Sequence, residues 1–389
     1  MAGLHQVDLS ASVRHEKISP GGSATTPKFG LRWLPLDNSF AVRSTWAKGF
    51  IAPGIYSLFG PASQNAPSYT ILEGDGRSGS GGGTGKTVTG QFGRALETSN
   101  PNLTPSKSKS FTAGFVYSPK QIRGLSIIVD YYNITQGKVG GIDYSTIYAD
   151  LNAKGAASKF AAGFVFADNS RLTTNAANQV TSTNAGTLTI ATDPAGDQKT
   201  DGLDVSVDYA FVTKDVGRFN LGVNSNWLFN CKFRSTPRDS YYQYARVFTD
   251  SANGLGGENG LLPSYTLKPY INHNYKSLST SLFFTYVPEV SAPGTLFDGQ
   301  RNSNAQRIDG KEYIIPSYFS VDLGVTYTIP SMRREWLKGM TVTAGVNNLL
   351  NRDAPYVPGS GNGSNESNTS KQADDVVGRM FFLERKKSF

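Results

Sequence analysis

The 389-residue chain has a single cysteine, Cys231, which excludes an intrachain disulfide and any thiolate metal cluster. Its three histidines, His5, His15 and His273, are scattered, and the sequence offers no metal site built from them. No apolar run approaches the roughly eighteen residues of a transmembrane helix. The first ten residues, MAGLHQVDLS, lack a charged segment followed by an apolar core, so they do not read as a signal peptide. No Ser/His/Asp ordering, tight carboxylate pair or metal-ligand spacing stands out, and the expectation is a non-enzyme without a cofactor. A basic face interleaved with stacking aromatics is also missing, so the net charge of +8 does not point to nucleic acid. Much of that excess falls at Lys120, Arg123, Lys214, Arg218, Arg333, Arg334 and Lys338, and in the last strand. One apparent motif is a decoy. GSGGGTGKT at 79–87 has Ser80 where a phosphate-binding loop needs glycine, and it lies in a Gly/Ser-rich run rather than between a strand and a helix.

What the chain does have is alternation. Phe319, Val321, Leu323, Val325 and Tyr327 interleave with Ser320, Asp322, Gly324 and Thr326. Leu203, Val205, Val207, Tyr209 and Phe211 alternate with Asp204, Ser206, Asp208 and Ala210, and Leu125, Ile127, Val129 and Tyr131 repeat the pattern. A period of two denotes a strand with one apolar and one polar face. Twelve such strands are expected near 4–14, 27–34, 39–47, 109–117, 123–133, 201–212, 217–229, 264–275, 279–287, 316–327, 339–348 and 376–389. The connections 35–38, 118–122, 213–216, 276–278 and 328–338 are short. Those between them, 48–108, 134–200, 230–263, 288–315 and 349–375, are long, with 15–26 shorter. Alternating short and long connections are the pattern of an antiparallel transmembrane β-barrel, with short periplasmic turns and long extracellular loops. Apolar residues at 38%, aromatics at 12% and a mean hydropathy of −0.33 suit a barrel whose polar lumen dilutes its lipid-facing residues.

Several segments in order resemble the TonB-dependent outer-membrane receptors. They are GFIAP at 49–53, NPNLTPSKSKSFTAGFVYSP at 100–119, GLSIIVDYYNI at 124–134, KTDGLDVSVDY at 199–209, GVNNLLNRDAP at 345–355 and the closing VVGRMFFLERKKSF. The physical reading agrees with them. Asn100-Pro101 and Pro105 punctuate a loop end, Gly124 and Gly202 permit tight geometry at strand starts, and Asn347, Asn348 and Asn351 can pair with backbone where a strand ends. Ile51 and Ser106 depart from the family's usual Arg and Glu.

The resemblance implies an N-terminal signal sequence, a TonB-contact motif, a plug domain and a barrel of 22 strands. About twelve strands are legible, so the chain reads as a partial barrel domain spanning 1–389, the C-terminal half of such a barrel without the plug. The implied function is TonB-dependent uptake of a scarce small-molecule ligand, a siderophore, cobalamin or carbohydrate. The alternatives are a passive small pore or structural protein, or a nonfunctional fragment. In loop 230–263, Arg238, Tyr241, Tyr242, Tyr244 and Arg246 are the candidate ligand contacts. Gly378, Arg379, Phe381, Leu383 and Phe389 form an assembly signature for the barrel-assembly machinery, broken by Arg385 and Lys387 on the same face. Outer-membrane lipid and the TonB system of intact relatives complete the expected partners, and the Gram-negative outer membrane is the expected location.

Overall fold

A computed structural model describes residues 5–19, 22–65, 68–72, 87–91, 94–139, 147, 150–151, 154–165, 187–194, 196–234, 241–249, 260–291, 307–308, 311–330, 339–356 and 377–387. The alternating segments form twelve long strands: β1 (Gln6–Ile18), β2 (Gly22–Leu34), β3 (Phe40–Ile51), β4 (Ser106–Tyr117), β5 (Leu125–Val139), β6 (Gly196–Thr213), β7 (Gly217–Arg234), β8 (Tyr265–Tyr275), β9 (Leu278–Val287), β10 (Tyr318–Thr328), β11 (Met340–Asn347) and β12 (Met380–Lys387). Each pairs antiparallel with its neighbours in chain order, giving one continuous all-β sheet. Its edges are β1 and β12, with no pairing between them among the described residues. No described helix is long and apolar enough to cross a membrane.

Register sorts the side chains as the period-two pattern requires. Val205, Val223 and Pro269 fall on one face, with Val129 aligned to Val205. Asp130, Asp204, Asn226 and Thr266 align on the other. Aromatic side chains border the apolar face at both ends. Toward the short turns, Phe211 stacks on Phe219 at 5.2 Å and Phe219 on His273 at 4.4 Å. Toward the long connections, Trp227 stacks on Tyr265 at 4.6 Å and Phe29 on Trp46 at 5.8 Å.

The short turns are held locally. Asp37 accepts hydrogen bonds from Lys120 Nζ at 2.7 Å and the Ser39 amide at 2.7 Å, tying two neighbouring turns. The Lys120 ammonium and Ser39 together hold the Asp37 carboxyl well below the usual carboxylate range. Gly124 sits at φ +88, and a Cβ there would collide with the Ala210 carbonyl, so the expectation of a glycine-dependent strand start holds at this position. Gly202 differs. It lies well inside β6, beside a bulge in the β6–β7 pairing, where the Tyr132 ring crosses it; the requirement is close approach within a strand.

The strands also run past their expected ends. β1 and β2 form one long hairpin through most of 15–26, and β5, β6 and β7 continue to Val139, Gly196 and Arg234. The β1–β2 and β6 extensions carry little apolar alternation because their side chains are mostly polar on both faces, whereas β7 keeps Cys231 and Phe233 on one face. The expected long loops contain structure of their own. Segments 63–65, 94–98, 164–165 and 187–191 form a four-stranded sheet, in which Arg94–Thr98 pairs parallel with Thr187–Ala191. A second joins Val247–Thr249, Gly260–Leu262, Val290–Ser291 and Ile314–Ile315. Hence 48–108 folds with 134–200, and 230–263 with 288–315.

Candidate functional site

The polar face of the sheet and the paired loops above it make the candidate site. On the polar face, Gly114 separates Arg43 from Asp130 in one cross-strand row. Arg43 therefore reaches over a residue without a side chain and donates two hydrogen bonds to the Asp130 carboxylate, Nε to Oδ1 at 2.9 Å. A Cβ at Gly114 would strike the Val129 carbonyl and Asp130. The same device recurs at Gly222, over which the Tyr270 hydroxyl donates to Asp208. Asn226 donates to Asp204 and, at 3.3 Å, to the Tyr132 hydroxyl, while Ser206 donates to Asn224 at 2.7 Å. Asp130, Asp204, Ser206, Asn224, Asn226 and Lys268 line an open pocket of ≈ 370 Å³, to which Ile128 and Val205 also contribute. Carboxylates, amides and hydroxyls of this kind hold water and polar solutes rather than hydrocarbon.

The loops are anchored by the blocks singled out in the sequence. Asn100 accepts the Asn102 amide at 3.0 Å, donates its side-chain amide to the Thr192 carbonyl at 3.0 Å, and donates its backbone amide to the Ser57 carbonyl at 2.8 Å. One NPNL block thus joins three segments. Leu58, Ala95, Ile147, Leu151, Phe164 and Leu188 are all nearly or fully buried in this loop region. Asp150 accepts from Ser158 at 2.7 Å and pairs with Lys154. Desolvation alone would raise its carboxyl, but the Lys154 ammonium and Ser158 hydroxyl outweigh it and hold the group below its usual range.

At the other loop pair, the candidate residues lie on different sides. Tyr242 pairs with Phe233 in a short addition to β7, and Arg238 lies outside the described residues. Tyr241 has Lys199 Nζ 4.2 Å and the Arg234 guanidinium carbon 4.6 Å from its ring centre, a cation–π arrangement, and Arg234 Nε donates to Asp197 at 2.8 Å. Tyr244 is buried with Cys231, Phe233 and Ala245, with Leu228 and Leu262 packed against them. Burial pushes the Cys231 thiol up. Arg246 is exposed at φ +70, where its backbone links the Leu262 carbonyl to the Ser291 amide.

The strand-end motif is the most tightly built. Asn348 is fully buried, donates to the Arg352 carbonyl at 2.8 Å, accepts the Arg352 amide at 2.9 Å, and gives its own amide to Asp322 at 2.8 Å. Asn351 accepts the Arg379 amide at 3.2 Å, fastening the start of β12, where Gly378 takes φ +77. Phe381 and Leu383, 71% and 76% exposed, align with Val346 and Ala344 on the apolar face, and Arg385 and Lys387 fall in the same register. Phe389 lies outside the described residues, as does nearly all of the glycine-rich 79–87 stretch. The Arg43–Asp130 and Tyr270–Asp208 bridges were not foreseen, because each partner is an ordinary polar residue in its own strand. Glycine in the intervening strand at the aligned position was the available signal. Among the described residues no cluster of three His, Cys, Asp or Glu side chains suits a metal ion.

A family model described as TonB dependent receptor-like, β-barrel, matches residues 3–349. No curated protein matches the sequence. Among solved structures, the chain is similar to the siderophore receptor PirA from Acinetobacter baumannii, at 16% identity and a TM-score of 0.60 over 98% of this chain and 43% of that one. It is also similar to a mutant of the ferric enterobactin receptor PfeA from Pseudomonas aeruginosa, at 15% identity and a TM-score of 0.58 over 99% and 43%. The chain therefore spans less than half the length of these receptors. At such identities the likeness is one of fold.

Proposed function

Since the chain belongs to the TonB-dependent receptor-like β-barrel family, we propose that it supplies wall and extracellular loops to an outer-membrane receptor importing a scarce small molecule with energy from the TonB system. The observation that carries this reading is the separation of the two faces between two aromatic borders. Phe219 and Trp227 mark those borders on β7, eight positions apart, a span of ~27 Å along the strand at ~3.4 Å per residue. A strand tilt of ~40° reduces this to a height of about 20 Å, comparable with the ~25 Å apolar band of outer-membrane barrels. The apolar face meets lipid, and the polar face with its pocket lines the solute path.

The ligand is of the siderophore, cobalamin or carbohydrate class and is received in the loops. Within 230–263, Arg238, Tyr241, Tyr242 and Arg246 contact it, and Tyr244 holds the base of the loop. Gly378, Arg379, Phe381, Leu383 and Phe389 are read during insertion by the barrel-assembly machinery. The test is a titration of the lipid-folded chain, followed by tryptophan fluorescence, with a ferric catecholate, a ferric hydroxamate, cyanocobalamin and a maltodextrin. One of them is expected to bind with micromolar or tighter affinity, about 8 kcal/mol, and Arg246→Ala is expected to weaken it. Failure of all four to bind would contradict the reading.

A further inference from the structure

One glycine inside a strand has no structural cause. Gly114, Gly222 and Gly345 each lie against a neighbouring side chain, that of Asp130, Tyr270 or Phe382, which a Cβ would strike. Gly324, in the middle of β10, differs: no atom lies within 4 Å of where its Cβ would stand, and its φ is not positive. Glycine weakens a strand interior, and where neither packing nor backbone demands it, it marks the close approach of something else. One cross-strand row on the polar face runs Ser281, Gly324, Gly345 and Phe382 through β9, β10, β11 and β12. The Phe382 ring lies over Gly345, so the next position in the row, above Gly324, is open. The adjoining row toward the long connections holds Tyr270, Phe283 and Asp322. Phe283 and Phe382 are 49% and 39% exposed, although both stand on the polar face. The Tyr270 and Phe283 rings are 6.4 Å apart. Toward the short turns, the Thr326 and Thr343 hydroxyls bond at 2.9 Å and bound the other side. The result is a cleft with a glycine floor, an aromatic wall and a carboxylate at its upper edge.

Charge on the same face selects the occupant. Arg43 is engaged with Asp130, and Arg32 with Asp8 at 3.1 Å. Three successive rows across β6–β10 carry Asp204, Asp208 and Asp322 against the one ammonium of Lys268. None of these three carboxylates takes part in an ion pair among the described residues. An anionic metal chelate meets like charge here, which is costly. A neutral sugar suits both halves of the surface. Its C–H faces stack on the negative faces of aromatic rings, and its hydroxyls donate charge-assisted bonds to carboxylates. We propose that the polar face of β8–β12 binds a neutral oligosaccharide, one sugar ring lying on Gly324 against Phe382 with its hydroxyls toward Asp322, and the next against Phe283 and Tyr270. From β8 to the Phe382 ring above β11 is three strand spacings, ~14 Å, which accommodates more than one ring. The inference rests on the receptor reading above and narrows its ligand to carbohydrate.

The test is a calorimetric titration of the full chain folded into lipid bilayers, with insertion read independently as protection of the strands from protease. The probes are maltohexaose, cellohexaose, xylohexaose and the anionic ferric tris-catecholate complex. One oligosaccharide is expected to bind, and the ferric complex is not. Gly324→Val fills the cleft with a residue that strands favour and that meets open space, and Phe382→Ala removes the wall. Each variant is expected to insert as the wild type does and to bind the oligosaccharide roughly tenfold more weakly. Undiminished binding by both inserted variants would place the sugar elsewhere and overturn the cleft. Failure of every oligosaccharide to bind the inserted wild type would overturn the carbohydrate assignment. Binding of the ferric complex in their place would overturn it too, while leaving the receptor reading standing. Absence of protease-protected strands in the wild type would instead contradict the receptor reading itself.

Discussion

At the residue scale, glycine does unusual work on the polar face, because it lets a long side chain cross one strand to reach the next. Arg43 reaches Asp130 over Gly114, and Tyr270 reaches Asp208 over Gly222. Gly114→Val would place a branched side chain against the Val129 carbonyl and in the path of the guanidinium. Overpacking of this kind costs ~1–3 kcal/mol, and loss of the two-bond Arg–carboxylate pair adds to it. The expected outcome is a lower urea midpoint for the lipid-folded protein, with an Arg43→Met, Asp130→Leu background recovering only the part due to the ion pair. An unchanged midpoint would show that the strands part at no cost. Single residues were legible in the sequence where the chemistry is local. Asn100 and Asn348 bind backbone within a few residues, and their asparagine-rich blocks announce it. The cross-strand partners were illegible, since register relates residues such as Arg43 and Asp130 that are 87 positions apart.

At the element scale, all twelve strands were legible because lipid or core on one side and water on the other force a period of two. Their outer ends were not. Residues 196–200 continue β6 with polar side chains on both faces, so no alternation marks them, and the β7 extension 230–234 is marked only by Cys231 and Phe233 between polar neighbours. The loop sheets were equally hidden. Thr187–Ala191 pairs parallel with Arg94–Thr98 across ~90 intervening residues, and no periodicity encodes such a partner. The Asp150–Lys154–Ser158 cluster belongs to this loop region, which gives it a pH dependence. Because the Asp150 carboxyl is held below its ordinary value of 3.8, its ion pair stabilises the folded loops fully above that value. The stabilisation falls away as pH drops through the lowered value of the folded state. Hydrogen exchange, corrected for intrinsic rates, is expected to show protection of 154–165 at pH 6 that declines below pH ~4. Asp150→Asn is expected to flatten that dependence, whereas an identical decline in the variant would place the acid sensitivity elsewhere.

At the scale of the whole molecule, the account depends on one assignment: apolar face to lipid, polar face to water. Charge illustrates why the assignment needs the complete sheet. The sequence locates much of the basic excess in the short turns and the last strand, yet the assembled register also gathers Lys48, Lys109, Lys199 and Lys232 at the opposite rim. No single segment carries that row. The family match fixes the class of wall to which these strands belong, and the faces decide how it is used. The most direct measurement is a nitroxide scan of β6 in a Cys231→Ala background, with the chain folded into lipid bilayers. Spin labels at Leu203, Val205 and Val207 are predicted to be accessible to oxygen and shielded from a water-soluble nickel complex. Labels at Asp204, Ser206 and Asp208 are predicted to show the reverse, giving a period of two along the strand. Uniform accessibility along 203–208, or the opposite phase, would contradict the assignment and with it the proposed receptor wall.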